Sequence, residues 1–140
     1  MKGLTTLIKL HKRTLDELRR QMVSLENQKA QLLQLSAKLK EELSAEIKMA
    51  SRNPEMGQFF GDFSKRMQLR QEDIGMEVAS LDKQMAKLNA EIFEAFSELK
   101  KYEVALEQAK QREKAEADRR ETIAMDDIAQ QQFRRTRKED

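Results

Sequence analysis

The chain has no cysteine and no tryptophan, one proline, four glycines and a single histidine. Without cysteine there is no disulfide, no thiolate nucleophile and no cysteine-based zinc site, a pattern that suits a reducing compartment. With His11 alone, any metal site would rest on carboxylates scattered along a solvated face. Gly3, Gly57, Gly61 and Gly75 are dispersed, so no glycine-rich loop can cradle a phosphate. Asp126 and Asp127 are adjacent and so do not share a helix face as paired ligands would. No catalytic constellation and no cofactor site follow from these residues, and the expected reading is a protein that is not an enzyme. No apolar run is long enough to cross a bilayer, and Lys2 is not followed by a continuous hydrophobic signal segment. The expected place is the cytoplasm, with peripheral attachment to a membrane through a partner and no direct membrane insertion.

What the chain does have is charge and helix formers. Charged residues make up 37% of its 140 residues and aromatics 5%, a balance that supports long helices with a thin seam rather than a globular core. The formal net charge is only +2, because acidic and basic side chains are interleaved. That interleaving argues against nucleic acid as a partner. Lys9, Lys12, Arg13, Arg19 and Arg20 make one basic group; Arg119 and Arg120, then Arg134, Arg135, Arg137 and Lys138, make others. Each reads as a solvated helix face or as a surface for an acidic protein.

From Phe60 to Ala109 the inward positions recur at steps of three and four: Phe60, Phe63, Met67, Arg70, Ile74, Val78, Leu81, Met85, Leu88, Ile92, Ala95, Leu99, Tyr102, Leu106 and Ala109. Such a narrow stripe needs one long partner helix laid along it. The partner is upstream, in Leu4, Ile8, His11, Leu15, Leu18, Met22, Leu25, Lys29, Leu32, Ser36, Leu39 and Leu43, continued by Ile47 and Ala50. Lys29 and Ser36 are weak layers, tolerable because a lysine stem can lie along the seam with its charge outward. His11 sits in the seam and reads as a packed structural histidine. Met22, Met67 and Met85 fit the seam, whereas Met49, Met56, Met76 and Met125 are available for adaptable contacts.

Ser51 to Gly61 breaks the pattern. Pro54 lacks a backbone donor and disfavours a helical residue before it, and Ser51 and Asn53 are natural capping residues. Pro54 fits the first turn of a second helix with Asn53 as its cap. Phe59, Phe60 and Phe63 serve either as an aromatic plug at the tip or as an exposed patch that docks on a partner. The expected fold is all-α, a long two-helix antiparallel coiled-coil hairpin with a C-terminal helical extension. It is one coiled-coil domain over residues 1–140: helix 1 at about 4–50, the tip at about 51–58, helix 2 at about 59–130, and a disordered tail at about 131–140. Antiparallel folding sets Leu4 near Leu106, so the chain beyond about Lys110 has no intramolecular cover. Periodicity does not say whether such a hairpin is a rod, a spacer, a clamp or a shaft through a ring.

The two ends carry a likeness. The opening from Leu4 to Arg20 resembles the start of the FliJ family of bacterial flagellar export proteins. The closing part resembles the same family's end: Tyr102-Glu-Val-Ala-Leu-Glu107, then Arg112, then Glu121-Thr-Ile-Ala-Met-Asp-Asp-Ile-Ala129 with Phe133 and Arg134. In that family a Leu-Glu step and basic residues precede an acidic pair, a hydrophobic residue and Ala; Asp127 stands where Glu is commoner. The resemblance implies a non-enzymatic component of the flagellar type III export apparatus, similar to the central stalk of rotary ATPases. Its implied partners are the hexameric flagellar export ATPase, the cytoplasmic domain of the export-gate membrane protein, and export chaperones. It further implies a ring-facing role for the paired termini, with candidate partner-binding residues Leu4, Leu7, Arg13, Arg112, Arg119, Glu121, Asp126, Asp127 and Ile128. The stalk of a virulence type III secretion system, or a generic coiled-coil scaffold, would share the form.

Overall fold

Pro54 separates two stretches rich in Ala, Leu, Glu, Lys and Gln, and each becomes one long helix. A computed structural model describes residues 2–139. Helix α1 spans Lys2–Arg52, a short 3-10 turn spans Pro54–Met56, and α2 spans Gly57–Glu139. The two helices are antiparallel and pack together, and no strand occurs among the described residues. The second helix therefore runs on past residue 130, where the sequence pattern sets its end. Arg137 and Lys138 in its last turn face the negative pole of the helix dipole, which favours that extension. Asp140, part of the expected disordered tail, and the side chain of Met56 lie outside the described residues.

The reversal is made by the residue before the proline. Asn53 is extended, at φ −127° and ψ 96°, the conformation that a following proline imposes. Its backbone N–H donates to the Met49 carbonyl at 3.2 Å, closing α1. Asn53 occupies the cap position, but its side chain makes no capping bond. Ser51 Oγ donates back to the Lys48 carbonyl at 2.8 Å. Gly57 is right-handed at φ −60°, so the turn does not draw on the freedom of glycine.

Contacts fall into two units, Thr14–Ala95, and Met1–Arg13 with Phe96–Asp140. In the first, Leu15, Leu39, Ile74, Leu81 and Leu88 are buried. Between them Leu18, Met22, Leu25, Lys29, Leu32, Ser36 and Leu43 of α1 are half-buried, as are Met67, Val78, Met85, Ile92 and Ala95 of α2. Two expectations need correction. Arg70 is exposed, and Gln71 takes the inward place one residue later. The shift lets Gln71 meet Ser36: the Ser36 hydroxyl donates to Gln71 Oε1 at 2.6 Å, and Gln71 Nε2 donates to the Ser36 carbonyl at 2.9 Å. An arginine there would have had to bury a charge. Ile47 is also outside the seam, half of its surface exposed.

Lys29 behaves as the composition suggests. Its stem is half-buried and its ammonium reaches Asp82 Oδ1 at 2.7 Å, with side chains 33% and 50% exposed. An ion pair this wet contributes little. Asp82→Ala is expected to cost less than about 1 kcal/mol in urea unfolding, and less still at about 0.5 M salt, where the Debye length is roughly 4 Å. A loss above about 2 kcal/mol, insensitive to salt, would contradict this.

At the tip, the three phenylalanines differ in how far they are covered. Phe60 and Phe63 are half-buried and, with Glu46, Ala50, Phe59 and Arg66, line a shallow cavity of about 170 Å³. Phe59 itself is 78% exposed. The plug therefore holds two rings, and the third faces water.

Candidate partner-binding surface

The second unit has a packed part and an uncovered part, both set by where the stripe ends. Ile8 and Leu99 are buried, and Leu4, Tyr102, Leu106 and Ala109 are half-buried. His11 stacks on Tyr102 with ring centroids 4.9 Å apart and planes at 24°, the packed role its seam position implies. Lys100 Nζ lies 5.4 Å from the Phe96 ring centroid, a cation–π contact that holds an off-seam aromatic against its own helix. From Lys110 to Lys138 every side chain is exposed.

That uncovered stretch stays helical through local contacts. Arg119 and Arg120 both reach Glu116 Oε1, at 4.0 and 3.6 Å, the i,i+3 and i,i+4 spacings that stabilise a free helix. Thr122 Oγ1 donates to the Asp118 carbonyl at 3.0 Å and Thr136 Oγ1 to the Gln132 carbonyl at 2.9 Å. The helical repeat sets Met125, Ile128, Ala129 and Phe133 along one face, with Asp126 at its edge one heptad before Phe133, and Ile123 and Asp127 toward the other. Ile123, Met125, Ile128 and Phe133 each expose more than half of their surface. The surface thus offers an apolar strip with Asp126 at its edge and Asp127 on the side away from it.

All nine candidate residues lie in this unit. Leu4 closes the stripe and is half-buried; Leu7, Arg13, Arg112, Glu121, Asp126, Asp127 and Ile128 are exposed. Arg119 is exposed too, but its guanidinium is engaged by Glu116, a residue not among the nine. Sequence spacing alone could have found that partner, since Glu116 stands three and four residues before the two arginines. Leu10 and Val104, exposed apolar side chains in the same unit, are also absent from the nine. Their signal was equally available: Val104 falls between the inward Tyr102 and Leu106, and must point elsewhere.

Among the described residues no group of His, Asp or Glu is arranged to hold a metal ion. Among the described residues no helix is long and apolar enough to cross a membrane. A family model described as Flagellar FliJ protein matches residues 1–138. No curated protein and no solved structure gave a match. A model that spans nearly the whole chain, packed seam and uncovered helix alike, establishes that this protein belongs to the flagellar FliJ protein family, whose members are non-enzymatic components of the flagellar protein export apparatus.

Proposed function

We propose that the chain is the stalk of the export machinery: its paired ends enter the pore of the hexameric flagellar export ATPase, it couples that ring to the cytoplasmic domain of the export gate, and it binds export chaperones. It does so in the cytoplasm, at the inner membrane only through the export apparatus. The observation that carries the reading is the uncovered helix from Lys110 to Lys138, exposed along its whole length in a family member. A helix with no intramolecular cover gains most of its burial from a partner. Leu4, Leu7 and Arg13 on α1, with Arg112, Arg119, Glu121, Asp126, Asp127 and Ile128 on α2, are the residues assigned to that contact. Hydrolysis belongs to the ATPase, and this chain supplies the shaft on which the ring is organised.

The test is ATP hydrolysis and ring formation by the cognate ATPase with and without this protein. The wild-type chain is expected to raise both. Asp126→Ala with Asp127→Ala is expected to weaken binding at least tenfold, about 1.4 kcal/mol, with circular dichroism unchanged because alanine is the better helix former. If dichroism fell while capture of the ATPase persisted, the acidic pair would be structural. A stable dimer of this chain without any effect on the ATPase would favour a self-associating scaffold.

A further inference from the structure

Within the unit Thr14–Ala95 the seam is chemically monotonous. Its buried members are Leu15, Leu39, Ile74, Leu81 and Leu88. Aliphatic side chains at a seven-residue repeat pack almost equally well after one helix slides by a heptad, about 10 Å at 1.5 Å per residue. Dispersion and apolar burial are non-directional, so these layers hold the helices together without fixing their alignment.

The contact between Ser36 and Gln71 is directional. Ser36 and Gln71 exchange two hydrogen bonds: hydroxyl to Oε1 at 2.6 Å, and Nε2 to the Ser36 carbonyl at 2.9 Å. Both residues are part-buried and sit 35 positions apart in the chain. Sliding α2 by seven residues one way would set Leu43 where Ser36 stands, leaving the Gln71 amide against an aliphatic chain. Sliding it the other way would set Lys29 there, which offers donors but no acceptor for the amide N–H. Either slide breaks both bonds and leaves a part-buried amide without this partner. The Lys29–Asp82 pair points to the same alignment, but its exposure leaves it screened.

We infer that Ser36 and Gln71 form a register clamp, a polar layer that selects one alignment of α1 on α2 at some cost in seam burial. This is the use of a buried polar residue best attested in coiled coils. It is independent of the partner assignments above.

The absence of native cysteine makes the test direct, since labels attach only where cysteine is introduced. Spin labels at Glu41→Cys and Glu94→Cys, both exposed, lie well apart along the helices, so a slide changes their separation by about 10 Å. The otherwise wild-type chain is expected to give one narrow distance. Gln71→Leu is expected to give a second population displaced by about 10 Å, with helicity kept and a thermal midpoint equal or raised. Ser36→Ala, which leaves the apolar layers untouched, is expected to give the same second population. A single unchanged distance in both variants overturns the inference, whether the midpoint rises or falls, because the pair would then contribute only packing.

Discussion

A chain ending at Ala109 is expected to melt within about 2 °C of the full-length protein and to lose binding to the export ATPase by more than tenfold. The first half follows from burial. Every side chain from Lys110 to Lys138 is exposed, so removing them uncovers little apolar surface. Stabilisation by burial is of the order of 25 cal/mol per Å² actually withdrawn from water, and here little is withdrawn. The lost segment is also a weak helix by itself. Glu116 with Arg119 and Arg120 contributes a few tenths of a kcal/mol per pair, enough to bias the conformation of an exposed helix but not to anchor it. The second half follows from the proposed role: Ile123, Met125, Ile128 and Phe133 are exposed, and covering them would be the main gain on binding. Differential scanning calorimetry and ATPase capture separate the two halves. A fall of ten degrees would mean that the segment covers something in the free protein. Undiminished capture would move the binding surface to the packed part.

How much of this was visible in the sequence depends on which physics sets each feature. The seam was legible because burial imposes a period. Ile8, Leu15, Leu39, Ile74, Leu81, Leu88 and Leu99, the buried residues, all fall on the stripe traced by steps of three and four. The turn was legible because proline acts on the residue before it, and Asn53 is extended. Apolar periodicity was silent where two polar residues compete for one inward place. Arg70 and Gln71 both satisfy the spacing within one residue, and the choice is made by a hydrogen bond to Ser36, 35 residues away. Ile47 misled for the opposite reason: hydrophobicity marked it as inward, although half of its surface is open. The proposed binding surface was legible only as an absence of cover. Asp126 and Asp127 are the same residue types, on the same kind of exposed helix, as any solvated face, and nothing in their exposure singles them out.

The contrast between covered and uncovered helix also predicts where substitutions hurt. Leu81→Ala is expected to cost about 2–3 kcal/mol in urea unfolding, and Ile123→Ala less than about 0.5 kcal/mol. Both delete aliphatic carbons from α2. Leu81 keeps only 8% of its surface in water, whereas Ile123 keeps 52%. The cost at Leu81 should sit low in the range known for buried leucines, because a two-helix seam is thin. No described side chain is less than 2% exposed, so water can reach the vacated space and the neighbours can relax into it. Even so, for a chain with a typical stability of roughly 5–15 kcal/mol, one such layer is a sizeable share. Leu81→Asp should cost more than Leu81→Ala, since a carboxylate at that place must either lose hydration or pull the helices apart. Equal losses at Leu81 and Ile123 would be the damaging result. They would mean that the helix beyond Ala109 is packed in solution after all, and the surface assigned to the export ATPase would already be occupied.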